Sequence, residues 1–159
     1  MIKIGDKIPL ATLKEVKETG AEDVTTDAFF KDKRVALFAV PGAFTSTCSA
    51  KHLPSFANNA EALRARGVDR IACVSVNDAS VMRAWGEQSK TAGAVTMLAD
   101  GNGDFARALG AEIDLTKHGM GKRSRRYSML VENGVVKQLN LEEAGGFGLS
   151  SGDHLLTQI

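Results

Sequence analysis

Cysteine is scarce in this chain. Its 159 residues hold two, Cys48 and Cys73, too few for a disulfide framework, so a reducing compartment, the cytoplasm, is expected. No C-x-x-C pair occurs, which disfavours a dithiol oxidoreductase of the thioredoxin kind. Two cysteines and three histidines show no zinc spacing, so no metal is expected. Charge of one sign is missing too. The 20 Lys and Arg against 19 Asp and Glu leave a net +1, no global field for nucleic acid or a membrane surface. No apolar run approaches the roughly 20 residues that cross a bilayer, and Met1-Ile2-Lys3-Ile4-Gly5-Asp6 has no apolar stretch of a secretion signal. Without repeats, low-complexity tracts or a Pro/Gly/Ser linker, one domain over residues 1–159 is the economical expectation.

What is present is a periodic pattern. Apolar residues make up 43% of the chain, enough for a core. Val35–Val40 is a continuous apolar run, as in a strand covered on both faces. From Thr45 to about Ala65 the pattern is helical, with Leu53, Phe56, Ala57, Ala60 and Leu63 on one face, a kink expected at Pro54 and a stop at Gly67. Ile71–Val76 and Val95–Ala99 are further strands. Asp78 or Ser80 caps a helix with Val81, Ala84 and Trp85 on one face, and Asn102 caps another carrying Phe105 and Leu109 up to Gly110. Tyr127–Val131 and Val135–Leu139 flank Glu132-Asn133-Gly134, a strong hairpin signal. His154–Gln158 is a closing helix. The first thirty residues hold one or two short strands, with Thr26–Phe30 a helical turn. This order describes an α/β domain with a mixed central sheet flanked by helices, and by analogy it fits a thioredoxin-like fold.

Cys48 is placed unusually. Pro41 ends a strand, and Thr45 or Ser46 starts a helix, so Cys48 falls in the first turn at the carboxyl end of a strand. There the free backbone N–H groups and the helix dipole favour a thiolate. Thr45, Cys48 and His52 share a helix face. His52 is a candidate base, though one turn along it more often packs beside the site. Cys73 lies mid-strand and is expected to be a structural core thiol. His118 and His154 are expected on surface loops.

Pro41-Gly42-Ala43-Phe44-Thr45-Ser46-Thr47-Cys48 resembles the peroxiredoxin signature P-x-x-x-T-x-x-C, and PGAFT-x-x-C-S followed by His52-Leu53-Pro54 resembles its type-II, or peroxiredoxin 5, subfamily. The likeness continues through Val74-Ser75-Val76-Asn77-Asp78, Leu98-Ala99-Asp100-Gly101 and Arg126-Tyr127-Ser128-Met129. Ser46 stands where the family often has proline. The resemblance implies a thiol peroxidase whose Cys48 thiolate attacks a peroxide and becomes a sulfenic acid. It implies that Thr45 hydrogen-bonds sulfur and peroxide, that the N–H groups of Thr47 and Cys48 hold peroxide oxygens, and that Pro41 shields the sulfur. Gly42, Phe44 and His52 are further expected substrate contacts. Strand parity leaves open which of Arg125 and Arg126 faces the sulfur. The resemblance selects Arg126, leaving Lys122, Arg123 and Arg125 as a solvated basic run. Phe44, Leu115, Met120 and Phe147 would form an apolar rim that admits alkyl hydroperoxides beside hydrogen peroxide, near a homodimer interface.

Gly148-Leu149-Ser150-Ser151, where some relatives carry a resolving cysteine, has none. A one-cysteine cycle is therefore implied, with no cofactor and with glutathione, glutaredoxin or thioredoxin as external reductant. The alternatives are a redox-signalling module that passes oxidation to a partner, and a cysteine hydrolase, for which no Cys/His/Asn signature is present. A free thiol is only ~3% thiolate at pH 7, so full ionisation gains about thirtyfold. Enzymes usually supply roughly 8 kcal/mol or more, so most of the rate must come from donors around the breaking O–O bond.

Overall fold

The computed structural model describes residues 1–159. A hairpin, β1 (Thr12–Lys17) and β2 (Gly20–Thr25), opens the chain, followed by α1 (Thr26–Phe30) and β3 (Arg34–Ala39). After the junction come a wide helical turn at Cys48–His52, α2 (Leu53–Ala57) and α3 (Ala60–Ala65). Then follow β4 (Arg70–Ser75), α4 (Ala79–Gln88), β5 (Thr96–Ala99) and α5 (Asp104–Leu109). A small ribbon, β6 (Glu112–Asp114) and β7 (Lys122–Ser124), precedes the hairpin β8 (Tyr127–Glu132) and β9 (Val135–Leu141) and the last helix, α6 (Gly152–Gln158). Seven strands form one mixed sheet in the order β2-β1-β5-β4-β3-β8-β9. β3, β4 and β5 are parallel at its centre, and β8 runs antiparallel to β3. The thioredoxin-like α/β expectation agrees with this architecture.

Alternation along the strands divides the core in two. Ala36, Phe38, Val40, Ile71, Cys73 and Leu130 face one way, under the wide turn and α2, α3, α4 and α6. Val35, Leu37, Ala39, Ala72, Val74, Tyr127, Met129 and Val131 face the other, under α1 and α5. Cys48 belongs to the first layer, and so does the parity of Arg126, Ser128 and Leu130.

Three expectations need correction. The helix from Thr45 to about Ala65 is one line in the sequence but three pieces in space. Pro54 lacks an N–H and would crowd the carbonyl of Ala50. The chain widens before it, and Leu53 N–H donates to Cys48 O five residues back. A second break follows at Asn58–Asn59, where the Asn59 amide donates to Ser55 O and Asp153 Oδ1. α4 is capped by Asp78 but buries Met82, Trp85 and Gly86 rather than Val81 and Ala84. A Cβ on Gly86 would lie 3.3 Å from Met97, so this glycine permits the close approach of helix and sheet that rotates the buried face. α5 is not capped by Asn102. Gly103 turns left-handed at φ 76, and buried Asp100 accepts from Phe105 N–H and Ala106 N–H at 3.1 and 2.9 Å. The Asn133-Gly134 turn has φ 46 and 78, as its sequence requires. No helix is long and apolar enough to cross a membrane.

Candidate active site

The β3–helix junction is held from the neighbouring strand. Ala43 N–H donates to Asn77 Oδ1 at 3.0 Å, and the Ser75 hydroxyl lies 2.6 Å from that oxygen and 3.1 Å from Val40 O. Phe44 adopts φ 65, a costly backbone for a bulky residue, and the residue is 47% exposed. This turn brings Thr45 back on the chain, so its hydroxyl donates to Gly42 O at 2.7 Å. Gly42 is tightly enclosed. A Cβ there would lie 3.2 Å from both Met120 Cε and Thr45 Cγ2. Thr45 N–H closes a turn to Gly42 O at 3.4 Å, and the next to bond back is Ser49 N–H, to Thr45 O at 2.9 Å. The N–H groups of Ser46, Thr47 and Cys48 therefore precede the helical ladder.

A linear relay ends on the sulfur. Arg126 Nη2 donates to Cys48 Sγ at 3.2 Å, and Nη1 lies 2.9 Å from His52 Nδ1. His52 Nε2 lies 2.9 Å from Ser150 O. A carbonyl only accepts and a guanidinium only donates, so the ring carries its hydrogen on Nε2 and is neutral. Burial, then the Arg126 charge, lower the His52 pKa from 6.5 to about 3, against the opposing Ser150 bond. Arg126 takes part in no ion pair with a carboxylate, so no acidic side chain neutralises the cation beside the sulfur.

The relay changes two expectations. His52 was expected among the substrate contacts, but it has no exposed surface and both nitrogens are engaged. It fixes Arg126 instead and packs on Phe38 and Phe147 at 4.9 and 5.3 Å. Thr45 gives its proton to Gly42 rather than to the sulfur, which leaves its oxygen lone pairs as acceptors. The depressed histidine also has a consequence for stability. The unfolded state takes up a proton between pH 6.5 and about 3 that the folded state refuses. Stability from this group is full above pH 6.5 and falls as the pH drops toward 3, on the order of a few kcal/mol. Urea midpoints at pH 4.5 and 7.5 should differ more in the wild type than in His52→Gln. An equal difference in the two proteins would contradict the assignment.

Pro41, Thr47 and Arg126 line a cleft of about 600 Å³, together with Leu115, His118, Arg125 and Glu142. Cys48 itself has no exposed surface. His118 lies on an exposed helical turn, and His154 sits on α6 rather than on a loop. The basic run is not uniformly solvated. Lys122 is exposed and pairs with Asp114. Arg123 is half-buried and donates to Met120 O and Val76 O at 2.9 and 3.2 Å. Arg125 is half-buried on the cleft wall. Cys73 lies mid-strand in β4, fully buried, and burial pushes its thiol well above the ordinary range, with the Cys48 charge adding and Arg126 opposing. Asn77, Ser150 and Glu142 carry no assigned role in the sequence pattern. Asn77 lies inside the Val74–Asp78 segment and Ser150 inside the Gly148–Ser151 stretch, whereas nothing in the sequence marks Glu142.

A profile of the redoxin family matches residues 3–154. The chain is 52% identical over 160 residues to peroxiredoxin-2E-2, chloroplastic, of Oryza sativa, covering 98% of this chain and 71% of the relative. It is 42% identical to peroxiredoxin-2B of Arabidopsis thaliana over 98% of this chain and 96% of that one. Among solved structures, reduced Prx3 of Vibrio vulnificus in complex with hydrogen peroxide superposes with a TM-score of 0.95 at 46% identity, over 99% of each chain.

Proposed function

Because the chain belongs to the peroxiredoxin family of thiol peroxidases, we propose that Cys48 is the peroxidatic nucleophile of a one-cysteine cycle that reduces hydrogen peroxide and organic hydroperoxides. The carrying observation is the Arg126 contact to Cys48 Sγ at 3.2 Å, with the arginine held by neutral His52. The Cys48 thiolate attacks the nearer peroxide oxygen. The S–O bond forms, the O–O bond breaks, and sulfur loses two electrons to become a sulfenic acid. The released alkoxide or hydroxide takes a proton and leaves as alcohol or water. Arg126 and the N–H groups of Thr47 and Cys48 stabilise charge on the separating oxygens. The Thr45 lone pairs orient the hydroperoxide hydrogen, and Pro41 covers the approach from solvent.

Two thiols then restore the enzyme. The first condenses with the sulfenic acid, giving a mixed disulfide and water. The second displaces Cys48 and leaves as half of an external disulfide. Mid-strand Cys73 is poorly placed to resolve the sulfenic acid, which supports glutathione or glutaredoxin, with thioredoxin as the other candidate. The exposed Phe44 and Leu149 fit a homodimer edge. A cytoplasmic setting accords with two free buried cysteines.

Trp85 makes the cycle visible. It is the single tryptophan, and its indole N–H donates to Ser49 Oγ at 3.0 Å, next to the nucleophile. A buried Cys48 must be uncovered before a bulky thiol reaches it, so the first helical turn has to move. One equivalent of hydrogen peroxide should shift Trp85 emission and add one oxygen to Cys48 by mass, and Cys48→Ser should do neither. A Cys48→Ser protein that still consumed peroxide would remove the nucleophile from the proposal.

A further inference from the structure

The cleft beside Cys48 carries two charged side chains that the peroxide chemistry does not use. Glu142 is 5% exposed and lines the wall. One carboxylate oxygen accepts from Leu149 N–H at 3.0 Å, while the other, Oε2, is buried with no partner. A buried charged oxygen without a donor is strongly unfavourable, so such a group calls for a cationic or N–H ligand. Arg125 is the reverse case. Its guanidinium makes one long hydrogen bond, 3.3 Å to Glu142 O, and takes part in no ion pair. Its planar fork suits a carboxylate. About 600 Å³ of space adjoins both, within the range of small-molecule sites, about 300–1,000 Å³.

We propose that this cleft is the subsite for a small thiol reductant with a free α-amino-acid head group, its ammonium on Glu142 and its carboxylate on Arg125. The proposal rests on the sulfenic acid cycle above and names the reductant class for that same site. A hydroperoxide bearing a carboxylate would satisfy Arg125 and leave Glu142 Oε2 without a donor. A zwitterion answers both. Pro41, Thr47 and Arg126 line the same cleft, so a tripeptide-sized thiol anchored by its head group extends its sulfur toward Cys48. There it condenses with the sulfenic acid, forming the S–S bond and releasing water.

Three probes test this: glutathione, N-acetylated glutathione and 2-mercaptoethanol. Cys48 is first oxidised with one equivalent of hydrogen peroxide, and the added oxygen is verified by mass. The rate of mixed-disulfide formation is then measured for each thiol at equal thiolate concentration. Each rate is divided by the same protein's rate with 2-mercaptoethanol, so a general loss of structure cancels. Wild type should prefer glutathione over the other two by about tenfold or more. Glu142→Gln should erase the advantage of glutathione over its N-acetyl form, and Arg125→Gln should lower both toward 2-mercaptoethanol. Equal rates for the three thiols in the wild type, or ratios unaltered in both variants, overturn the subsite. If Glu142→Gln does not fold, Arg125→Gln decides the matter alone. Failure of Cys48 to gain oxygen would defeat the peroxidase reading instead.

Discussion

Arg126→Ala should slow peroxide reduction by about 10²–10³-fold, the loss expected when a preorganised donor to developing charge is removed. The arginine has two tasks. Nη2 reaches Cys48 Sγ at 3.2 Å, and Nη1 meets His52 Nδ1 at 2.9 Å. Alanine removes the cation from the sulfur and leaves a buried imidazole acceptor without its donor. Arg126→Lys should recover little, because one ammonium cannot reproduce a planar fork whose two nitrogens serve different partners. Stopped-flow Trp85 emission against peroxide concentration gives the rate of the oxidation step alone. A lysine variant within a few-fold of wild type would show that charge alone suffices and that the relay geometry is dispensable.

Gly152→Ala should damage both stability and activity from outside the reacting centre. Gly152 opens α6, its N–H donates to Ser55 Oγ at 3.0 Å, and that hydroxyl donates to His52 O at 2.7 Å. A Cβ at this position would sit 2.8 Å from the Ser55 carbonyl carbon and 3.1 Å from Phe56 Cα. Both are backbone atoms, so the clash is not relieved by a rotamer change, and α6 has to withdraw from α2. Overpacking of this kind costs about 1–3 kcal/mol. The retreat also carries away Ser150, whose carbonyl fixes the His52 tautomer. The urea midpoint should fall, and peroxide reduction should slow even at temperatures where the variant is fully folded. A fully stable, fully active Gly152→Ala would mean that α6 does not support the relay.

Much of this arrangement was legible in the sequence. The apolar runs of β3 and β4, the Asn133-Gly134 hairpin and the position of Cys48 after Pro41 are local patterns, each set by residues within a few positions of one another. Parity narrowed the arginines to two faces without choosing one. The choice required knowing that Leu130, and with it Arg126, lies on the Cys48 side of the sheet. The His52–Ser150 contact spans 98 residues, and no periodicity signals a bond between a helix and a distant loop carbonyl. Arg125 was obscured for a related reason. Within Lys122-Arg123-Ser124-Arg125-Arg126 all four cations look alike, and only the β6–β7 ribbon turns one out to pair with Asp114 and another onto the cleft.

Cys48 is fully buried, so its sulfur ranks electrophiles by how well the surrounding donors serve the departing group. Oxygen leaving a peroxide meets the Arg126 guanidinium, which reaches the sulfur at 3.2 Å, whereas iodide leaving an alkylating reagent gains little from such donors. The reduced protein should therefore consume peroxide freely while resisting iodoacetamide, and comparable second-order rates for the two reagents at one pH would show the sulfur to be unselective.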